Sequence, residues 1–244
     1  RAVAYVAGTA PNRWGVMADG RQALPPLKKE GGNIFSSLAS DVRLLGGDAE
    51  ALRKHPLFPC VALLLLQEVL NRRLFSTVRE RRRLTYDANF HLTSFEIIQG
   101  GWYLVTVTAK PELAQAALAA CVETLEAARS WDRISRDNLR SAQYELISKH
   151  QGAMQTNKHW VDMMSGIQLD EIASKDLSSI TDFTRVVQAV QVEDVQRLLE
   201  CLAIDKGDAW TCVGVSGVDR EHAPVGEEGV VAGADVHGHL PPSL

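Results

Sequence analysis

The stretch NRRLFSTVRERRRLTYDANF, Asn71 to Phe90, contains the point at which a helical pattern gives way to a strand pattern. Upstream, residues 61–78 are apolar around most of a helix circumference, which is typical of a helix buried between other layers. Downstream of Leu84, apolar and polar residues alternate, which is typical of a strand with one buried face. The apolar positions of that strand are Tyr86, Ala88, Phe90 and Leu92. The sequence therefore predicts a helix over residues 57–83 followed directly by a strand.

Segments on both sides of this stretch complete the predicted fold. A pair of glycines separates the first strand from a second one over residues 102–109, so residues 84–109 are expected to form an antiparallel hairpin. The other predicted elements are a strand within residues 1–15, helices over residues 111–202 and a strand over residues 209–216. This order predicts an α+β fold, an antiparallel-rich sheet with helices packed on one face. We expect one domain over residues 1–217.

One of these helices has a well-marked beginning. Ser135 is the predicted N-cap of a helix that runs to about Met154, because a serine hydroxyl can accept a hydrogen bond from the first free backbone N–H groups. Its buried stripe is predicted to consist of Leu139, Ala142 and Leu146.

Two segments lack such a pattern. Residues 16–54 contain clusters of glycine, proline and lysine and one possible helical piece, NIFSSLASDVRLLGG. Residues 218–244 are rich in glycine, proline, histidine and acidic residues and poor in apolar ones, which predicts a disordered tail. Because the chain begins at Arg1 and not at a methionine, we expect a processed chain or a fragment.

The composition is that of a soluble globular protein. Of the 244 residues, 45% are hydrophobic and 23% charged, and the formal net charge is −4, which argues against a protein built to neutralise nucleic-acid phosphates. The longest apolar run, residues 60–66, is far shorter than the ~20 residues that a membrane span needs. The four cysteines are scattered within apolar stretches, which predicts buried, reduced thiols and a reducing compartment.

Familiar catalytic motifs are missing from the sequence. No His-Glu-x-x-His or His-x-x-Glu-His spacing occurs among its seven histidines, so we expect this chain to bind no metal of its own. His237 and His239 stand close together, but glycine-flanked in the predicted tail and without a further ligand. The sequence also lacks a phosphate-binding loop and a Gly-x-Ser-x-Gly elbow. A catalyst acting alone is therefore not expected.

Six arginines fall within the twelve positions 72–83, and they allow more than one interpretation. At ~100° per residue, only Arg72, Arg79 and Arg83 share a narrow arc of the helix. One interpretation is a solvated helix end, with Glu68 and Arg72 forming an i,i+4 ion pair. Another is that Arg79 serves a ligand together with Tyr86, because a guanidinium and a phenol on rigid elements suit a peptide carbonyl and a developing oxyanion. Tyr86 could equally be a core residue of the strand.

The same stretch resembles the signature of the non-metal-binding homologous domain of the inverzincin zinc peptidases, the pitrilysin and processing-peptidase family. In that signature a long helix ends in Arg-Glu and is followed by a short turn and Leu-x-Tyr. The segments GGWYLVTVTAKPELAQAAL, NLRSAQYELISKHQGAMQTNKHW and SSITDFTRVVQAVQVEDVQRLL resemble the strand and helices that follow. The shorter words HPLF, LTYDANF, GWYLVTVT and KDLSSI are most similar to the branch of processing peptidases found in the chloroplast stroma.

This resemblance implies a clamshell peptidase made of two halves. One half carries zinc through His-x-x-Glu-His and a distal Glu, and the other contributes an Arg and a Tyr, which here are Arg79 for substrate carbonyls and Tyr86 for the oxyanion. Because this chain lacks the zinc motif, the resemblance implies a zinc-bearing half as partner, either an N-terminal part of the same polypeptide or a separate subunit. It also implies precursor proteins or peptides as substrates, with targeting peptides as the part removed.

Three functional alternatives remain open at this stage. The first is the substrate-binding half of such a peptidase in the chloroplast stroma, or alternatively in the mitochondrial matrix. The second is a catalytically inactive scaffold or assembly subunit of the same fold. The third, nucleic-acid binding by the arginine cluster, is the least favoured, because the net charge is negative. We expect neither a nucleic acid nor a membrane as partner.

Overall fold

Four strands form one antiparallel sheet in the computed structural model, which describes residues 1–24, 52–93, 95, 98–165, 178–205 and 207–216. The strands are β1 (Ala2–Ala10), β2 (Asp87–Leu92), β3 (Gly101–Ala109) and β4 (Trp210–Val215). Their spatial order is β2-β3-β1-β4, and each neighbouring pair is antiparallel. Within the described part of the chain, β2 and β4 are thus the two edge strands of this sheet.

The helices occupy the chain between β1 and β4. They are α1 (Phe58–Leu74), α2 (Ala114–Arg129), α3 (Arg136–Ala153), α4 (Asn157–Met164), α5 (Ser178–Thr181), α6 (Phe183–Ala189) and α7 (Val192–Glu200). A π-helix of seven residues, Phe75–Arg81, directly continues α1 and is called the π segment below. A short 3-10 turn that begins at Pro111 leads into α2.

The sheet has one buried and one open face. The alternation in β1 places Ala4 and Val6 in the core, whereas Tyr5 between them is 39% exposed. On β3, Val105 and Val107 are buried, while Trp102 on the other face is half exposed. Helix α2 packs against β1 and β3, so the helices cover the buried face. The predicted α+β fold with helices on one face is confirmed.

Helix α1 lies at the centre of the helical layer. It packs against β2 on one side and against α3, α6 and α7 on others. Leu65, Leu66 and Leu70 are fully buried, because neighbouring elements cover the helix on several sides. This explains why its sequence is apolar around most of the circumference and has little amphipathic character.

The N-terminus of α3 confirms the predicted cap. The Ser135 hydroxyl accepts from the Asn138 backbone N–H at 3.2 Å, and the Asn138 side chain accepts from the Ser135 N–H at 3.3 Å. This reciprocal pair is a capping box. The predicted stripe of this helix is also buried: Leu139, Ala142 and Leu146.

The structure differs from the sequence-based expectations in several places. The helix expected over residues 57–83 is divided into α1 and the π segment, because the backbone changes from i→i+4 to i→i+5 hydrogen bonding at Phe75. Strand β2 begins at Asp87, and Tyr86 before it is 62% exposed, so the core interpretation of Tyr86 is wrong. The possible helical piece NIFSSLASDVRLLGG and the predicted tail over residues 218–244 lie outside the described residues.

The cysteines follow the expectation only in part. Cys60 and Cys121 are buried, and burial raises the pKa of Cys121 to about 12, so its thiol stays protonated. Cys201 is only partly buried. Cys212 is exposed, because it lies on the edge strand β4, whose outward positions no described element covers. None of the four forms a disulfide.

Candidate substrate-binding site

The π segment ends in a tightly held turn. The Arg82 N–H donates to the Thr77 carbonyl at 3.1 Å, and the Leu84 N–H donates to the Val78 carbonyl at 3.1 Å. Between them Arg83 has a φ of +53°, the left-handed conformation that reverses the chain at helix ends. Val78 is fully buried and fixes the segment to the core. The helix therefore stops at a defined place and directs the chain towards β2.

The backbone at Tyr86 is fixed by bonds to β3. The Tyr86 N–H donates to the Thr108 carbonyl at 2.9 Å, and the Thr85 hydroxyl lies 2.6 Å from the same oxygen. That hydroxyl also accepts from the Asp87 N–H at 3.0 Å. Because the main chain is held on both sides of Tyr86 while its ring is 62% exposed, the phenol is presented to solvent from a rigid position.

Arg79 is exposed on the π segment and is held by a ring rather than by a carboxylate. Its guanidinium lies over the Phe75 ring, 4.8 Å from the centroid, in a cation–π contact. Neither this guanidinium nor the Tyr86 hydroxyl has a hydrogen bond or ion pair with any other residue that the structure describes. Both groups are therefore available as donors to a ligand.

A shallow cleft of about 380 Å³ lies between α1 and the beginning of β2. Its lining residues are Asn71, Arg72, Phe75, Asp87, Ala88 and Asn89. Arg79 and Tyr86 do not line the cleft themselves. Each adjoins a lining residue, since Arg79 stacks on Phe75 and Tyr86 immediately precedes Asp87.

The other arginines of the cluster divide into paired and free side chains. Arg72 lies 3.5 Å from Glu145, and Arg82 lies 2.7 Å from Glu123. The expected pair of Arg72 with Glu68 is wrong, because α3 packs against α1 and its Lys149 bonds Glu68 at 2.8 Å. Within this cluster, two exposed arginines besides Arg79 have no such partner among the described residues: Arg81 and Arg83.

Arg73 is the most deeply held member of the cluster. Its guanidinium donates to the carbonyl oxygen of Asp132, to that of Arg133 at 2.9 Å and to the Asn138 side chain at 3.0 Å. The side chain is only 12% exposed, and burial lowers the pKa of this guanidinium, a shift that the Asp132 carboxylate opposes. Arg73 therefore joins α1 to the loop before α3, which is a structural task.

The described residues do not supply a metal site. They contain no group of three or more histidine, cysteine, aspartate or glutamate side chains placed to hold a metal ion. His150 and His159 are neighbours, with ring centroids 5.6 Å apart, but His150 stacks on Phe183, and burial lowers its pKa. The donor set of a zinc site is thus not found in this part of the chain. None of the described helices combines the length and apolarity needed to cross a membrane.

Sequence reasoning missed the residues between Arg79 and the strand. Phe75 was not singled out, although it stands four residues before Arg79, a spacing that places two side chains on one side of a helix. Asn71 was not singled out either. Its signal was the spacing of two amides, since Asn71 stands four residues after Gln67, which places both on one side of a mostly apolar helix.

Comparison with known proteins defines the class. Residues 57–144 match the family model of the peptidase M16 inactive domain, and that match contains the π segment, Tyr86 and the cleft. The sequence is 37% identical to the chloroplastic stromal processing peptidase of Pisum sativum over 99% of this chain, and 35% identical to that of Arabidopsis thaliana over 93% of it. The chain spans about a fifth of the length of these relatives, 19% and 18%.

Solved structures support the same fold. The peptidase M16 inactive domain from Pseudomonas fluorescens superposes with a TM-score of 0.57 at 16% identity, covering 87% of this chain and 40% of that one. The inactive peptidase domain of a Bordetella parapertussis protein gives a TM-score of 0.56 at 14% identity, with 92% and 95% coverage. The family match over residues 57–144 and the similarity of the fold to such inactive domains agree with the sequence resemblance. Its curated relatives at 32–37% identity are stromal processing peptidases.

Proposed function

We propose that this chain is the substrate-binding, non-zinc half of a metalloendopeptidase that removes transit peptides from imported precursor proteins. The observation that carries the proposal is that Arg79 and Tyr86, two exposed donors without a hydrogen bond or ion pair among the described residues, each adjoin a residue that lines the same cleft: Arg79 stacks on Phe75, and Tyr86 precedes Asp87. The names of the curated relatives, chloroplastic stromal processing peptidases, support a processing peptidase and the chloroplast stroma as the location.

In this proposal Arg79 and Tyr86 act on the peptide backbone. The Arg79 guanidinium donates to a substrate carbonyl, and the ring of Phe75 beneath it limits the directions in which it can point. The Tyr86 hydroxyl donates to the oxygen on which negative charge develops as the peptide bond is attacked. Because the backbone of Tyr86 is already bonded to Thr108, little reorganisation is needed when that charge appears.

The described residues do not fit a metal, so the proposal assigns the zinc to a complementary half. That half is an N-terminal part of the same polypeptide or a separate subunit. Two facts support a larger assembly: the sequence contains no His-x-x-Glu-His, and the chain spans about a fifth of its curated relatives. No hydrolytic step is assigned to this chain alone.

Kinetics of the complete, zinc-bearing enzyme test the proposal. We expect Arg79→Ala and Tyr86→Phe each to lower kcat/KM by about tenfold or more, because the first removes a charged donor to a substrate carbonyl and the second a donor to the developing oxyanion. Cleavage of a precursor is measured under conditions where the rate is proportional to kcat/KM. The melting temperature should change little, since both side chains are exposed and neither has a hydrogen bond or ion pair with another described residue.

Two matched control variants test whether the loss is specific to Arg79 and Tyr86 or follows from removing any exposed arginine or tyrosine hydroxyl. Arg81→Ala removes an exposed arginine from the same segment, and Tyr144→Phe removes the hydroxyl of an equally exposed tyrosine on α3, 63% against 62% for Tyr86. Both controls should cleave at the wild-type rate. Wild-type kinetics in both Arg79→Ala and Tyr86→Phe would overturn the proposal and favour the second candidate, a scaffold or assembly subunit that has kept the fold.

A further inference from the structure

The outer edge of β2 is closed by two amide side chains of α1. The Phe90 N–H donates to the Asn71 side-chain oxygen at 2.7 Å, and the Asn71 side-chain NH₂ donates to the Phe90 carbonyl at 3.1 Å. One turn earlier in the helix, the Gln67 side-chain oxygen accepts from the Leu92 N–H at 3.0 Å. At these two positions the helix occupies the groups that an added strand would need.

These contacts follow a regular progression. Each step of four residues along α1, about 6 Å, matches a step of two residues back along β2, about 6.8 Å. Gln67 thus faces Leu92, and Asn71 faces Phe90. The next step pairs Phe75 with Ala88, and both line the cleft.

At Ala88, the next position along the outer edge of β2, no amide side chain bonds the backbone. In an antiparallel ladder the backbone groups alternate in direction, so the N–H and C=O of Ala88 point the same way as those of Phe90, away from β3. A phenylalanine has no group that can bond them, and the structure describes no other partner. Ala88 is only 8% exposed but lines the cleft, and its backbone donor and acceptor have no partner among the described residues.

We propose that an extended peptide pairs its main chain with Ala88 in this cleft and must leave β2 before Phe90, because Asn71 and Gln67 close the rest of the edge. The inference rests on the proposed function and adds the path of the substrate to it. One peptide residue accepts from the Ala88 N–H and donates to its C=O, as in addition of a strand. The ring of Phe75, which lines the cleft and is 43% exposed, receives a neighbouring side chain of the peptide.

A peptide is the ligand that best suits the cleft, because the cleft adjoins the two donors of the proposed function. Arg79 and Tyr86 bind a backbone carbonyl and an oxyanion in the proposed function, and Ala88 offers the same main-chain chemistry two residues beyond Tyr86. A longer strand addition is excluded by the bonds of Asn71 and Gln67. Recognition here is thus confined to one backbone pair, which is compatible with many substrate sequences.

The decisive variant adds a third amide side chain at position 75, one step further along the helix than Gln67 and Asn71. Phe75→Asn places at the third step of the progression the side chain that Asn71 supplies at the second, and it should bond Ala88 in place of a peptide. Phe75→Leu is the matched control, because it also removes the ring beneath Arg79 but adds no amide. The assay uses the complete enzyme and a fluorogenic peptide that spans a transit-peptide cleavage junction. We expect kcat/KM to be about three- to tenfold lower for Phe75→Asn than for Phe75→Leu.

A second measurement avoids any change to the cleft. Methylating the amide nitrogens of the same peptide one at a time removes single hydrogen-bond donors. One position should slow wild-type cleavage about three- to tenfold, and the same methyl group should have little further effect in Phe75→Asn, where Ala88 is already bonded. Circular dichroism and the melting temperature confirm that both variants are folded.

The outcomes separate the inference from the proposed function. Equal rates for Phe75→Asn and Phe75→Leu, together with a slow Arg79→Ala enzyme, overturn the inference and leave the proposed function intact. Wild-type rates in Arg79→Ala and Tyr86→Phe remove both. If a second copy of the chain occupied this edge instead, peptide cleavage per enzyme would fall as the enzyme concentration rose, which would also overturn the inference.

Discussion

The last turn of α1 and the π segment that follows it carry the same kind of side chain and use it in opposite ways. Arg73 in α1 is largely buried and donates to backbone and side-chain oxygens of the loop before α3. Arg79 in the π segment is exposed. Its guanidinium has no hydrogen bond among the described residues and lies over the Phe75 ring. Charge alone does not distinguish the two. Their contacts assign Arg73 to the scaffold and make Arg79 available to a ligand.

The largest expected effect is on the free energy of unfolding, and it tests the structural role of Arg73. Arg73→Ala should lower the free energy of unfolding by about 2–3 kcal/mol, because it leaves oxygens of Asp132, Arg133 and Asn138 without their donor. Urea denaturation of the chain, followed by circular dichroism, measures the change. Arg81→Ala is the matched control and should stay within about 0.5 kcal/mol of the wild type, since Arg81 is exposed and unpartnered in the described part. Equal losses in the two variants would contradict the division.

How much of the fold could be predicted from the sequence depends on how far apart in the sequence the interacting residues lie. Local patterns predicted α1, the hairpin and the Ser135 cap, because periodicity and capping involve residues within one or two turns. The partners of Glu68 and Arg73 were not accessible, because they lie on α3 and on the loop before it, about 60 to 80 residues away in sequence. Long-range packing decides such partners, and a single helix pattern carries no information on it.

The site itself was accessible in part. The family resemblance singled out Arg79 and Tyr86, whose roles stay a prediction until the kinetics are measured. The π segment was not predicted, because its i→i+5 bonds depend on how Val78 and Leu84 are fixed to the core and not on a sequence period. The bonds of Gln67 with Leu92 and of Asn71 with Phe90 became visible only when the helix and the strand lay side by side.

A smaller effect is expected from the ring that supports Arg79. Phe75→Leu keeps an apolar side chain but removes the cation–π contact, which at exposed sites contributes about 0.5–1 kcal/mol. We therefore expect kcat/KM of the complete enzyme to fall about two- to fivefold, less than for Arg79→Ala. The free energy of unfolding should change little, because Phe75 is 43% exposed. A loss as large as that of Arg79→Ala would mean that the ring contacts the peptide more strongly than it supports the guanidinium.

The last prediction concerns Arg83, the residue that ends the helix. The direction of the change in the free energy of unfolding is more informative than its size. Arg83 has a φ of +53°, a conformation that costs a residue with a side chain about 1–2 kcal/mol but costs glycine little. Glycine loses more backbone entropy on folding, about 0.5–1 kcal/mol, so Arg83→Gly should raise the free energy of unfolding by about 0.5–1 kcal/mol.

Arg81→Gly, two residues earlier within the π segment, is the matched control and should lower the free energy of unfolding by a similar amount, because glycine is unfavourable inside a helix. Both arginines are exposed and without a partner among the described residues, so charge and lost contacts nearly cancel between the variants. Opposite signs would show that the backbone, and not the basic side chain, sets the requirement at position 83. Equal signs would mean that the turn before Tyr86 does not depend on the left-handed residue.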